Sequence, residues 1–176
     1  RRPSADEVMN HPAFWTTDRW LRFLEEFSDR AGHQDEPNAA AAAASADFVG
    51  ASQQEILAAL ERTPASIIGL SWDARLGQTL QADLNNFRRY DTASVQDCLR
   101  FIRNKRHHLH ELSAAAVRAV GSTDRHFFDY FFDPLLQRFP KLPMRCVEVA
   151  RTHCTPEPMF AKYFVPSKKT SGSRGS

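Results

Sequence analysis

Apolar side chains recur along this chain at helical spacing. From Thr17, a plausible N-cap, Trp20, Leu21, Phe23, Leu24 and Phe27 fall on one face of a helix running to about Arg30. Ser52 opens a second amphipathic stretch through Ile56, Leu57 and Leu60. It stops near Thr63-Pro64, because a residue before proline avoids helical backbone. Over residues 76–89, Leu76, Leu80, Leu84 and Phe87 form a single apolar stripe on a helix. Tyr90-Asp91-Thr92-Ala93 breaks it, and Ser94 starts the next helix with Asp97 as its partner in a short capping box. Val95, Cys98, Leu99 and Ile102 stand at i, i+3, i+4 and i+7, so that face is core. Ser113 caps a further short helix ended by Gly121. Residues 126–139, "HFFDYFFDPLLQRF", are apolar nearly all round, as a buried helix is, and Pro134 must kink or split it. A last helix spans about 143–153. "ASIIGLSW" (65–72) is the lone strand candidate, so the expected class is all-α, a compact helical domain.

The segments between these patterns set the expected boundaries. Residues 1–15 begin with a Pro-Ser turn and a short helical stretch ended by His11-Pro12. "AGHQDEPNAAAAAASA" (31–46) is polar and then alanine-rich. Such a run favours helix but has almost nothing to bury, which predicts a mobile insertion over about 31–47. Residues 166–176 read as a disordered tail.

Composition narrows the class. A 42% hydrophobic content with 13 Phe and 3 Trp supports a real core. No apolar run reaches the ~20 residues a membrane span needs, and no signal peptide opens the chain. Cys98, Cys146 and Cys154 are odd in number and lack a CxxC pair, which argues against a disulfide framework and for a soluble domain in a reducing compartment. The net charge of +2 excludes blanket coating of nucleic acid but leaves room for a local basic patch.

That patch is "RNKRHH" (103–108), two arginines, a lysine and two histidines around Asn104. Three readings stand beside each other. A helix C-terminus attracts cations because its exposed carbonyls carry partial negative charge. A zinc site could use His107, His108 and His110 with Glu111, but their spacings of one and two residues and the neighbouring cations disfavour a dication. The third reading is acid–base chemistry on a phosphodiester. Cleavage of RNA by its own 2′-OH needs a base, an acid for the departing 5′-oxygen, and donors for the phosphorane oxygens. Arg103, Asn104 and His108 cover all but the base, and Asn104 and His108 are i and i+4 on a helix.

"YDTASVQDCLRFIRNKRHHLHEL" (90–112) closely resembles the kinase-extension nuclease (KEN) domain of the Ire1 unfolded-protein-response sensors. The likeness extends through "HPAFW" (11–15), "FLEEFSDR" (23–30), "SWDARLGQTLQADLNNFRRY" (71–90), "FPKL" (139–142) and "PEPMFAKYF" (156–164). The double histidine favours this branch over the related KEN domain of RNase L. Departures are the alanine-rich insertion, Ser113 where the family often has Pro, and extra residues around Asp133-Pro134. Residues 1–15 resemble the tail of a protein-kinase domain, leaving 16–165 for the KEN domain.

The resemblance implies an endoribonuclease that needs no metal or other cofactor and leaves a 2′,3′-cyclic phosphate, in unfolded-protein-response splicing or decay of messenger RNA. By position, Tyr90, Arg103, Asn104 and His108 carry the catalytic roles. His108 is the expected acid, Tyr90 the group that helps deprotonate the 2′-OH, and Arg103 with Asn104 the phosphate-holding pair. Lys105, Arg106, His107, Arg88 and Arg89 are the expected RNA contacts, while His110 fits either RNA contact or a solvated face. The implied partners are stem-loop RNA, a second copy in a homodimer or higher oligomer, and a kinase domain N-terminal in the same parent chain. Trp15 and Trp20 lie where that kinase would pack. The implied location is the cytosolic face of the endoplasmic reticulum, with no direct membrane contact by this segment. A non-catalytic RNA-binding or dimerisation module is the alternative, and the intact Tyr90/Arg103/Asn104/His108 set weighs against it.

Overall fold

The computed structural model describes Val8, residues 10–32, 51–84 and 89–164. Most of the kinase-tail segment, residues 33–47 of the insertion, Phe87, Arg88 and the tail from 166 lie outside the described residues. Nine α-helices follow in order among the described residues: α1 Thr17–Gly32, α2 Gln53–Leu60, α3 Pro64–Ile68, α4 Gln78–Leu84, α5 Val95–His107, α6 Ala114–Val120, α7 Asp124–Phe132, α8 Leu142–His153 and α9 Pro158–Phe164. Short 3-10 turns occupy Pro12–Phe14, Trp72–Arg75 and Leu109–Glu111. No strand occurs among the described residues, so the chain is all-α.

Helix α1 is the hub, packing against α5, α7, α8 and α2. Its cap is Thr16 rather than Thr17, since the Thr16 hydroxyl accepts from Arg19 N at 3.3 Å. It also runs to Gly32, with Ala31 buried, two residues into the segment expected to begin the insertion. Phe23 and Phe27 stack at 6.0 Å, and Phe160 and Tyr163 of α9 meet Phe23 edge-on at 6.3 and 5.1 Å. Each such ring contributes on the order of 1.5–3 kcal/mol by burial. Trp15, expected to be open for a kinase, is instead buried against Trp20, Phe23 and Tyr163. Its indole N–H donates to Asn10 O at 3.0 Å and Arg19 lies over the ring, so Trp15 is covered from within the chain, while Trp20 is half-buried and Phe14 exposed.

Two local expectations change in the folded chain. "ASIIGLSW" folds into α3 and the Trp72–Arg75 turn. Pro64 starts the helix and Gly69 ends it at φ 86°, where a Cβ would come within 2.9 Å of Arg75 Nε. The run 126–139 is not one buried helix. α7 stops at Phe132, and Pro134 diverts the chain into a turn that leaves Leu135 89% and Leu136 50% exposed. The chain then returns buried at Phe139, whose N–H donates to Phe131 O at 2.9 Å. All three cysteines are free and buried.

Helix α5 crosses this framework, burying Val95, Cys98, Leu99, Phe101 and Ile102 against α1, α2 and α3. Its start is only half the expected box. Ser94 Oγ accepts from Asp97 N at 3.1 Å, but Asp97 accepts from Asp91 N at 2.7 Å instead of bonding back to the cap. The Ser94 N–H donates instead to Asp91 O at 3.1 Å, and a second cap comes from Glu61, just beyond α2. Its carboxylate takes Ser94 Oγ at 2.7 Å and the N–H groups of Val95 and Gln96, both at 2.9 Å. A negative charge thus sits at the positive end of the helix whose other end carries the basic cluster.

Candidate active site

The last turn of α5 and the segment before it are brought together by Trp72. This residue is fully buried, and its backbone N–H and indole N–H donate to Thr92 O at 2.9 Å and Asp91 O at 3.1 Å. Residues 90–92 are thereby laid alongside α5. The Tyr90 ring stands edge-on to Phe101 at 5.6 Å and to Trp72 at 6.0 Å, which directs its hydroxyl to Asn104. Asn104 Nδ2 donates to Tyr90 Oη at 3.1 Å, and Arg103 Nη1 donates to Asn104 Oδ1 at 3.4 Å. The amide orientation follows from chemistry: a guanidinium has only donors, so the amide oxygen must face Arg103 and its NH₂ must face the phenol. Three of the four expected catalytic side chains are therefore linked.

Arg103 is also paired with Asp29 of α1. It is one-third exposed, so part of the guanidinium still faces solvent. Asn104 bonds the phenol as a donor, which leaves the phenolic proton and a lone pair of Tyr90 available to a ligand. Beside Tyr90 a pocket of about 600 Å³ is lined by Asp73, Gln81, Leu84, Arg89 and Thr92.

His108 lies one step beyond the expected helix. α5 ends at His107, and His108 is its C-cap at φ −107°, ψ 31°, tied to the helix by its N–H to Asn104 O at 2.9 Å. Its ring is 57% exposed and bonds through Nδ1 to Glu111 Oε1 at 2.9 Å. This hydrogen bond is the first cause holding the Glu111 carboxyl below the ordinary carboxylate range. His110 Nε2 is farther from the same oxygen, at 3.6 Å.

The remaining basic residues divide by environment. Arg89 is exposed on the Tyr90 side, Arg88 lies outside the described residues, and the Lys105 ammonium sits 5.4 Å from the Phe101 ring centre. Arg106 is held by Glu25 and, at 3.1 Å, by Asp124. Burial works against its charge, but the bonds to Asp124 and Glu25 outweigh this and raise its pKa. His107 Nε2 lies 3.3 Å from the same Glu25. Arg106 thus joins α5 to α1 and to the start of α7. Among the described residues, no group of three or more His, Cys, Asp or Glu side chains is placed to hold a metal ion, and no helix is long and apolar enough to cross a membrane.

Sequence reasoning missed the acidic partners. Glu25 and Asp29 are i and i+4 on one face of α1, and Arg106 and Arg103 meet them in reverse order on α5. The signal was present in "FLEEFSDR", a stretch noted for family likeness rather than for its charge spacing.

Comparison with known proteins adds the family. Residues 20–164 match the family model described as Ribonuclease 2-5A. The chain is 36% identical over 163 residues to the Arabidopsis thaliana serine/threonine-protein kinase/endoribonuclease IRE1a, covering 93% of this chain and 17% of that protein. It is 32% identical over 168 residues to the Homo sapiens serine/threonine-protein kinase/endoribonuclease IRE2, covering 96% of this chain and 16% of that protein. It is 31% identical over 165 residues to the Schizosaccharomyces pombe sensor for unfolded proteins in the ER ire1, covering 93% of this chain and 14% of that protein. The chain therefore spans less than one-fifth of the length of these curated relatives.

Proposed function

The chain belongs to the Ribonuclease 2-5A family, and we propose that it is an Ire1-type endoribonuclease domain that cleaves stem-loop RNA without a metal, using Tyr90, Arg103, Asn104 and His108. The observation that carries this reading is the 3.1 Å bond from Asn104 to Tyr90, with Arg103 on the other side of the same amide. Binding RNA needs cations alone. A phenol held by an amide that a guanidinium bonds on its other side, with an exposed imidazole one helical turn from that amide, is an arrangement suited to proton transfer at a phosphate.

In the proposed reaction, the 2′-oxygen attacks the adjacent phosphorus as Tyr90 Oη accepts the 2′-OH proton and passes its own phenolic proton to solvent. Arg103 and Asn104 hold the non-bridging oxygens as charge builds on them. The bond from phosphorus to the 5′-oxygen breaks as His108 protonates that oxygen. The products are a 2′,3′-cyclic phosphate and a 5′-hydroxyl. Relatives named as kinase/endoribonucleases and as a sensor for unfolded proteins in the ER support a matching setting. That setting is a parent chain with a kinase N-terminal to this domain, at the cytosolic face of the endoplasmic reticulum, acting as a dimer or higher oligomer.

The test is a hairpin RNA with a single 2′-deoxy substitution at the scissile nucleotide, assayed with and without EDTA. The all-ribose hairpin should be cut in EDTA to a cyclic phosphate end, and the deoxy hairpin should bind almost equally yet stay intact. His108→Ala should slow cleavage by roughly 10²-fold or more, the usual range for a positioned general acid. Cleavage of the deoxy hairpin would exclude the 2′-OH as nucleophile. Binding without cleavage at every protein concentration would favour a non-catalytic module.

A further inference from the structure

The exposed end of α5 contains an arrangement that the four catalytic positions do not include. His108 leaves the helix as its C-cap, and the next three residues, Leu109–Glu111, form a single 3-10 turn closed by Glu111 N donating to His108 O at 3.0 Å. In such a turn the side chains at i and i+3 lie nearly one above the other. His108 Nδ1 and Glu111 Oε1 accordingly meet at 2.9 Å. A carboxylate only accepts hydrogen bonds, so Nδ1 must carry a proton and Nε2 is the nitrogen left to face a substrate. The competing imidazole, His110, is 3.6 Å from the same oxygen, beyond hydrogen-bonding range.

We propose that Glu111 is a positioning residue that holds His108 with its proton on Nδ1 and turns Nε2 toward the RNA. The proposal rests on His108 being the general acid in the reading above. When Nε2 gives its proton to the departing 5′-oxygen, the neutral imidazole left behind keeps its proton on Nδ1. That is the tautomer Glu111 accepts from, so the hydrogen bond persists on both sides of the step. With Glu111 removed, the ring is free to rotate and either nitrogen can bear the single proton. The low setting of the Glu111 carboxyl, owed first to the His108 hydrogen bond, keeps it an acceptor at neutral pH.

The test has a readout that does not depend on activity. The 176-residue chain contains seven histidines, and nitrogen-15 labelling of them followed by two-bond proton–nitrogen correlation distinguishes Nδ1–H from Nε2–H rings. The His108 signals are those that vanish in His108→Ala. In the unaltered chain at mildly alkaline pH, His108 should show the Nδ1–H pattern. Glu111→Gln should keep that pattern, because the amide oxygen still accepts, whereas Glu111→Ala should lose it. On the hairpin, Glu111→Ala should lower kcat by roughly tenfold with KM unchanged, less than the loss expected for the acid itself. Glu111→Gln should recover most of that loss. An Nε2–H pattern in the unaltered chain, or an unchanged tautomer and kcat in Glu111→Ala, would overturn the proposal. If His108→Ala cleaves at the normal rate, the acid assignment fails and the role of Glu111 fails with it, whichever tautomer is seen.

Discussion

The contact between Asn104 and Tyr90 can be measured by a double-mutant cycle in stability, independent of catalysis. Tyr90→Phe removes only the hydroxyl, since the ring keeps its edge-on contacts with Phe101 at 5.6 Å and Trp72 at 6.0 Å. A part-buried, uncharged hydrogen bond of 3.1 Å is worth about 1 kcal/mol net. For a domain of this size 1 kcal/mol lowers Tm by roughly 2–4 °C. Asn104→Ala loses the same bond and the longer one from Arg103, but gains roughly 0.5 kcal/mol of helix propensity within α5. It should therefore look milder than Tyr90→Phe. The propensity gain appears equally with and without the tyrosine hydroxyl, so it cancels in the cycle. Urea unfolding of the four chains should give a coupling energy of about 1 kcal/mol, with the double variant destabilised less than the two single changes together. Additivity within about 0.3 kcal/mol would mean that no hydrogen bond joins the pair, and the geometric support for the proposed reaction would be lost.

Three further outcomes follow from residues away from the reacting groups. Glu61→Ala removes a carboxylate that accepts three hydrogen bonds at the start of α5 and should destabilise the fold by about 2–3 kcal/mol. Calorimetry checks this, and a change under about 0.5 kcal/mol would refute it, the range of an ordinary surface substitution. The buried thiols should make the fold sensitive to alkali, because desolvation pushes all three upward, Cys154 to about 12. An unfolded chain releases these protons near pH 8.5–9 while the folded chain retains them. The stabilisation is therefore complete below that pH and declines as pH rises toward the folded values. A native chain should likewise leave all three thiols unreactive to a thiol-specific disulfide reagent at pH 8, and rapid modification of any one would contradict its burial.

Helical periodicity located α1, α2, α4 and α5 and the core face of α5, because burial on one side of a helix imposes a pattern that survives without knowledge of the partner, and the Ser113 cap with Gly121 located α6. The basic cluster, its place at a helix end and its chemical repertoire were also legible, as was the resemblance that assigned Tyr90 a role. α9 was missed because seven residues are too few to show a period, and its aromatic side chains gain their meaning only against Phe23. The exposed turn at Leu135 and Leu136 was misread for a related reason. Hydrophobicity states a preference for burial, whereas Pro134 and the available space decide whether it is met. The site divides along the same line. Local sequence could put Asn104 and His108 one turn apart, since that spacing is a property of the helix. Pairings across the chain depend on how separate elements dock: Tyr90 against Asn104, Asp29 against Arg103, Glu25 and Asp124 around Arg106, Glu61 beneath Ser94. Ion pairs and hydrogen bonds have no period along the chain, so only the packing of α1, α2 and the Trp72 turn around α5 could decide them.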